Sequence, residues 1–358
     1  MAKYRRGDVI NGYTLDEDFR MKDGANCEWT FATRDSQRYF IKQFLAPRYP
    51  VDGAPGSPAE RDRRRLECSA WERHQHGLLK EAKKVAGAGG ALVVPVTLFR
   101  EGPNYFKVAP RVDVKSFSVA EIARLPLADR LSIMSAVTRA VHALHNVSIV
   151  HGDIAAGNVL ISLSGVNMYK ANVIDFDNSY VVGDPPPFDE IMGNPPYYSP
   201  ELLDYVQGKL SDRAALTVRS DIFALGVLFW QYLYGSMPVF DTDFQYPCEA
   251  VRAGDRLIEP TVERRDIHDM VVSMISVDPS ARPSLLKISN SLGKQPTPPE
   301  PAPAPMHPDR GHIMDPLPAS GSRLRRPKGY PAPAVAEPAP YEGPSRVRSK
   351  IKREGAGE

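Results

Sequence analysis

Three oxygen-bearing side chains stand at intervals that suit phosphate chemistry. His151-Gly152-Asp153 is followed, five residues after Asp153, by Asn158, then by the apolar run Val159-Leu160-Ile161. Asp175, within Ile174-Asp175-Phe176-Asp177, lies 22 residues after Asp153. A carboxylate can take the proton of an attacking hydroxyl, while an Asn amide oxygen and a second carboxylate are hard donors of the kind Mg²⁺ prefers. Moving a phosphoryl group from a nucleotide to a hydroxyl needs both functions in one place. A lone His-x-Asp or Asp-Phe pair carries little meaning; the ordered set is specific.

The set resembles the catalytic and metal-binding loops of protein kinases, H-R-D-x-x-x-x-N followed by D-F-G. The resemblance makes Asp153 the catalytic Asp and assigns Mg²⁺ to Asn158 and Asp175. Further on, Gly193-Asn194-Pro195-Pro196-Tyr197-Tyr198-Ser199-Pro200-Glu201 resembles the end of an activation segment, and it implies a partner for Glu201 in Arg282 of Asp278-Pro279-Ser280-Ala281-Arg282-Pro283. Ser220-Asp221-Ile222-Phe223-Ala224-Leu225-Gly226-Val227 is similar to the opening of the buried central helix, where Asp221 holds the catalytic loop's backbone. Lys42, in Tyr39-Phe40-Ile41-Lys42, fits the third-strand lysine that contacts the α and β phosphates of ATP. Its implied ion-pair partner comes from the following helix: Glu72, beside Trp71, with Glu67 the alternative. With Val108 as gatekeeper, the Ala109 carbonyl and the Arg111 N–H would face adenine. Gly24 is the one glycine of the stretch that should cover the phosphates, Arg20 to Thr30, where the family has three.

Several positions depart from the family pattern. Gly152 replaces the Arg that often binds a phosphorylated activation segment, and Ser179 is the only Ser or Thr between Asp177 and Gly193. Asp177 replaces the Gly after Asp-Phe, which removes backbone freedom there. These changes predict a constitutively organised metal loop and activity independent of activation-segment phosphorylation. Ala155 and Asn194 stand where Ser/Thr kinases usually carry Lys and Thr; divergent bacterial kinases of the Ser/Thr type tolerate such changes, and the chain resembles those. The expectation is an ATP- and Mg²⁺-dependent protein kinase acting on Ser/Thr hydroxyls of protein substrates. Two alternatives stay open: a pseudokinase that serves as a scaffold, and a small-molecule phosphotransferase of the aminoglycoside kinase type, which shares H-G-D but not the S-P-E, buried helix and D-P-x-x-R-P segments.

The elements that must hold these residues follow two regimes. Residues 8–45 alternate apolar and polar positions between turn signals and read as three antiparallel strands. Residues 59–85 read as a long helix, and Leu92–Arg100 and Asn104–Val112 as two more strands. After Asp113 the apolar spacing becomes helical, and Ile222–Tyr234 is apolar all round, as in a helix buried within a domain. The predicted fold class is α+β: a bilobal kinase-like domain over 8–293, with a small β-rich lobe at about 8–112 and a larger, mainly helical lobe at about 113–293.

Residues 294–358 hold 15 of the 34 prolines, with 11 Lys/Arg against 7 Asp/Glu, and read as a disordered, basic tail, with two readings open: a solvated end, or a docking arm for an acidic partner or anionic surface. A net charge of +2 gives no argument for nucleic acid. Three scattered cysteines, free of C-x-x-C spacing, suggest neither disulfides nor zinc and fit a reducing cytoplasm. The opening residues lack an apolar stretch behind their charges, and no later run is long enough to span a bilayer, so no transmembrane segment is expected.

Overall fold

Turns set the register of the first sheet. In a computed structural model of the chain, described for residues 4–21, 27–86, 91–164 and 168–293, β1 (Val9–Ile10) and β2 (Tyr13–Leu15) pair through Asn11-Gly12, both at positive φ. Asn-Gly is the pair that fits a two-residue hairpin. β3 (Arg20–Met21) adds to β4 (Cys27–Arg34), and β4 turns into β5 (Gln37–Phe44) through Asp35-Ser36, again with two positive φ angles. After a long helix, α1 (Pro58–Lys83), a third hairpin joins β6 (Thr97–Glu101) to β7 (Asn104–Pro110). The seven strands run in the order β1-β2-β4-β5-β7-β6, with β3 on β4. Five strands were expected; two arise because Asn11-Gly12 and the stretch Asp16–Phe19 break what reads as one strand. Pro95 shortens another: Leu92 leaves the sheet and bridges to Val173 instead.

Charge and cap explain α1 better than apolar content does. Ser57 caps its start and exchanges hydrogen bonds with Glu60, with Pro58 in the first turn. Only one narrow stripe faces inward: Cys68, Gln75, Leu78 and Ala82 are buried, and Trp71 packs its ring on Phe44 and Tyr105.

The second half is helical, as expected. α2 (Val119–Ala123) and α3 (Leu127–His145) form the predicted amphipathic stretch, interrupted at Pro126, which lacks an N–H to continue a helix. Two short pairs follow the turn of the chain: β8 (Ile149–Val150) with β11 (Tyr180–Val181), and β9 (Val159–Leu163) with β10 (Tyr169–Val173). Then come α4 (Pro200–Val206), α5 (Arg219–Tyr234), α6 (Pro247–Ala253), α7 (Arg265–Met274) and α8 (Leu285–Leu292). Nearly every residue of α5 is buried, and the core that α3, α5, α7 and α8 share is the largest in the chain. Among the described residues, no helix is long and apolar enough to cross a membrane. Gly24 and the 294–358 tail, for which the sequence raised expectations, lie outside the described residues.

Candidate active site

Strand alternation puts two lysines side by side. Lys42 on β5 pairs across the ladder with Lys107 on β7, so both side chains leave the same face of the sheet. Lys42 Nζ lies 2.7 Å from Asp175 Oδ1 and 2.8 Å from Asp177 Oδ2, and Lys107 Nζ lies 2.9 Å from Asp177 Oδ1. The four side chains are between 4% and 13% exposed. Two cations and two anions therefore neutralise each other in a largely dry place, the condition under which buried charge is tolerated.

Glu72 is not brought to Lys42. Its carboxylate accepts the Tyr105 hydroxyl at 2.5 Å and lies 3.9 Å from Arg100. The reason is position along the strands: Trp71 and Glu72 both reach Tyr105, which lies two residues from Lys107 on the same face of β7, away from Lys42. Glu67, the alternative, is exposed and faces Arg63 at 3.8 Å.

The adenine-facing register also needs correction. Val108 is fully buried among Ile10, Tyr13, Ile41 and Phe106, on the sheet face opposite Lys42. Ala109 lies within β7, paired with Phe40, and the Arg111 N–H donates to the Arg38 carbonyl at 3.0 Å. β7 thus continues along β5 to Pro110, and the main-chain groups assigned to adenine are used in the sheet. A slip of one residue reverses which side chains face the cleft, and Lys107 takes the place that Val108 was given.

The loop after β8 is built on Asp221. This carboxylate accepts the N–H groups of His151 at 2.8 Å and Gly152 at 3.0 Å, with His145 Nε2 2.9 Å away. Burial works against its charge, yet the His145 hydrogen bond, the charges of His145 and His151 and the His151 N–H hold its carboxyl below the usual range. Gly152 has φ +75, and a Cβ there would stand 2.3 Å from the Asn178 carbonyl. An Arg at this place is thus excluded by the path of the chain.

Asp153 and Asn158 then converge. Asn158 Nδ2 donates both to the Asp153 carbonyl (2.8 Å) and to Asp153 Oδ2 (2.9 Å), while the Asn194 N–H donates to Asp153 Oδ1 at 3.0 Å. Nδ2 is turned toward Asp153, so Oδ1 of Asn158 is turned away. It is buried, and among the described residues nothing donates a hydrogen bond to it. A buried amide oxygen without a donor is costly unless something electropositive meets it. The Asn158 oxygen and the Asp175 carboxylate are both hard donors of the kind Mg²⁺ takes. Asp175 itself sits at φ +68, a strained conformation for a residue with a side chain and one that concentrates at functional positions.

The segment between Asp177 and Glu201 is tied down along its length. Phe176 is buried with its ring 5.2 Å from His151. Ser179 is fully buried, its hydroxyl donating to the His151 carbonyl at 2.9 Å. Asn178 bridges across to Met192, giving its Nδ2 hydrogen to the carbonyl and accepting the N–H. At the far end Glu201 and Arg282 form the expected pair, bidentate at 2.6 and 2.8 Å, with the Arg282 side chain wholly buried. The structure thus brings Lys42 to Asp175, Asn158 to Asp153, Asp221 to the His151 and Gly152 N–H groups, and Arg282 to Glu201. Lys107 was missed, although a lysine between Phe106 and Val108 in a strand is itself a sign of a partnered, inward charge.

A family model described as protein kinase domain matches residues 104–292. The match begins at β7, so Lys42 and α1 lie before it. Similar proteins include serine/threonine-protein kinase 40 of Xenopus tropicalis, 27% identical over 195 residues, which cover 52% of this chain and 40% of the relative. The Homo sapiens protein of that name is 28% identical over 153 residues, 42% of this chain and 33% of its own length. Serine/threonine-protein kinase VPS15 of Saccharomyces cerevisiae is 27% identical over 157 residues, 41% of this chain and 11% of its own. The matched stretches span 40% or less of these relatives.

Proposed function

The chain belongs to the protein kinase family, and from that premise we propose that it transfers the γ-phosphoryl group of ATP, with Mg²⁺, to Ser/Thr hydroxyls of proteins. One observation carries the reading: Asn158 orients the Asp153 carboxylate with its amide nitrogen and leaves its buried oxygen open for a cation. Asp153 then orients the acceptor hydroxyl and takes its proton, and Lys42 holds phosphate oxygens. Asn158 and Asp175 would hold Mg²⁺, which when bound offsets the charge of the phosphates. The relatives named as serine/threonine kinases support the acceptor class.

Independence from activation-segment phosphorylation draws on Ser179, which is buried and spent on the His151 carbonyl, and on the Asn194 N–H already seated on Asp153. We place the domain at 8–293 and read 294–358 as an arm for an acidic partner or anionic surface. The three free thiols suit a cytoplasmic setting.

The test uses γ-labelled ATP and Mg²⁺ with wild type and Asp153→Asn, alone and with generic protein and aminoglycoside acceptors, before and after phosphatase treatment. Label in protein that vanishes in the variant, survives phosphatase and returns phosphoserine or phosphothreonine on acid hydrolysis is the expected result. Label in neither protein contradicts it. A second reading, a scaffold that keeps the fold without transfer, is favoured by the Ala109 and Arg111 main chain being committed to the sheet; it predicts no transfer whatever the acceptor.

A further inference from the structure

The geometry points to Asp177 as the carboxylate that positions Lys42 for a nucleoside triphosphate, with Lys107 a second phosphate-facing cation held by the same side chain. The inference rests on the kinase reading and adds two residues to it.

Three observations carry it. Asp177 offers one oxygen to each lysine, Oδ2 to Lys42 at 2.8 Å and Oδ1 to Lys107 at 2.9 Å, so a single carboxylate spaces two ammonium groups that the ladder sets directly opposite each other. Without it, two like charges would share a buried face, with the Asp175 carboxylate reaching Lys42, an arrangement that burial penalises. Second, the inward stripe of α1, Cys68, Trp71, Gln75, Leu78 and Ala82, holds no carboxylate, and Glu72 is committed to Tyr105. The duty of fixing Lys42 therefore does not fall to Glu72. Third, a four-charge cluster is a poor device for stability alone, because apolar residues of similar volume serve at least as well there. It suits a place where a polyanion with its cation will enter, since preorganised charges then need no rearrangement.

One consequence is a change in what gates the site. Asp177 stands two residues after Asp175, with Phe176 buried between them against His151. Lys42 and the metal-binding carboxylate are thereby set by one short segment, which α1 meets through His74 at the Ser179 backbone.

The experiment compares Asp177→Asn, Asp177→Glu, Lys107→Met and Glu72→Gln with wild type in full-length protein. Three quantities are read for each: kcat and KM for ATP, MgATP affinity by calorimetry, and melting temperature. Asp177→Asn is expected to lower kcat roughly 10- to 100-fold, the scale of a misplaced catalytic group, with Asp177→Glu recovering part of the loss. Lys107→Met is expected to weaken MgATP about tenfold, the scale of one charge-assisted contact. Glu72→Gln should stay within about twofold in both, since its carboxylate lies outside the cluster. Asp177→Asn with wild-type kcat and affinity, or with a lowered melting temperature as its only effect, overturns the inference while leaving the kinase reading intact; so does a Glu72→Gln loss equal to that of Asp177→Asn. If wild type binds MgATP but transfers to no acceptor, the kinase reading fails alone, and a tenfold weaker affinity in Asp177→Asn still upholds the cluster's role. Wild type that binds no MgATP removes both.

Discussion

Replacing Arg282 with Met should cost about 3–5 kcal/mol of folding stability, the range for removing one partner of a buried ion pair. The structure places this case at the demanding end. The guanidinium is wholly buried and gives two hydrogen bonds to Glu201, at 2.6 and 2.8 Å, and two more to the carbonyls of Arg219 at 2.8 Å and Ser276 at 2.9 Å. Met removes the guanidinium that lies 5.2 Å from the centre of the Phe223 ring and leaves the Glu201 carboxylate, 10% exposed, with Ser220 Oγ at 3.0 Å as its remaining donor. Glu201→Gln retains an acceptor for Arg282 and should cost less, about 1–2 kcal/mol, because the surviving hydrogen bond to a charged group keeps part of its value. At roughly 2–4 °C per kcal/mol for a domain near this size, the Arg282→Met melting temperature should fall by roughly 6–20 °C. Urea unfolding of both variants and of the double variant measures the coupling directly. A fall under about 1 kcal/mol for Arg282→Met would show that the pair is not holding the end of the segment.

Gly152→Ala should destabilise by about 1–2 kcal/mol from its left-handed backbone alone, and more from the 2.3 Å approach to the Asn178 carbonyl; kinase activity should fall with it, measured on protein shown to be folded by circular dichroism. Asn178→Ala removes the bridge to Met192 and should open the segment to limited proteolysis well before global unfolding, while Ser179→Ala, which loses one buried hydroxyl bond, should protect more than half of the wild-type cutting resistance. Stability should decline as pH falls from about 7 toward 5, because burial lowers the pKa values of His74 and His268, so the unfolded chain binds protons that the folded chain refuses. The sign is fixed by that inequality: the contribution is absent above about pH 6.5 and grows below it. Urea midpoints at pH 7.5, 6.5 and 5.5 check it, and His268→Gln should flatten the slope. Asp221 acts in a separate window, its depressed pKa giving stability that is lost only as pH drops below about 4.

The second half of the chain was readable because its key residues act through charge and hydrogen bonding at fixed sequence intervals. Asp153, Asn158, Asp175, Asp221, Glu201 and Arg282 each have a partner chemistry that few residue types satisfy. The sheet offers no such constraint. Its residues are chosen for alternation, and alternation leaves register open by one, which is the difference between Val108 and Lys107 at the cleft. A turn signal was also passed over: Asn11-Gly12 between apolar neighbours is a strong hairpin mark. In α1 the information was present in part. Glu72 and Trp71 do turn toward the strands, but both meet Tyr105, and how far along β7 they land is not written in the spacing of the helix.

Asp177 shows how a local departure can be compatible with the rest. A residue with a side chain in place of Gly is expected to restrict the backbone just after Asp-Phe, but the positive φ of this stretch falls on Asp175, and Asp177 is not among the residues with left-handed backbone. The substitution therefore brings a carboxylate without the strain that Gly is needed to relieve. The restriction is then imposed by the side chain: moving the segment would strip two ammonium groups of a shared buried counter-charge, and each would have to be resolvated or neutralised. Gly152 acts in the same direction, since the close passage of Asn178 that excludes a larger residue also packs the segment onto the catalytic loop. Two positions that read as losses in the sequence thus both favour one fixed arrangement of the segment, which is the physical basis for expecting activity without a phosphorylation step.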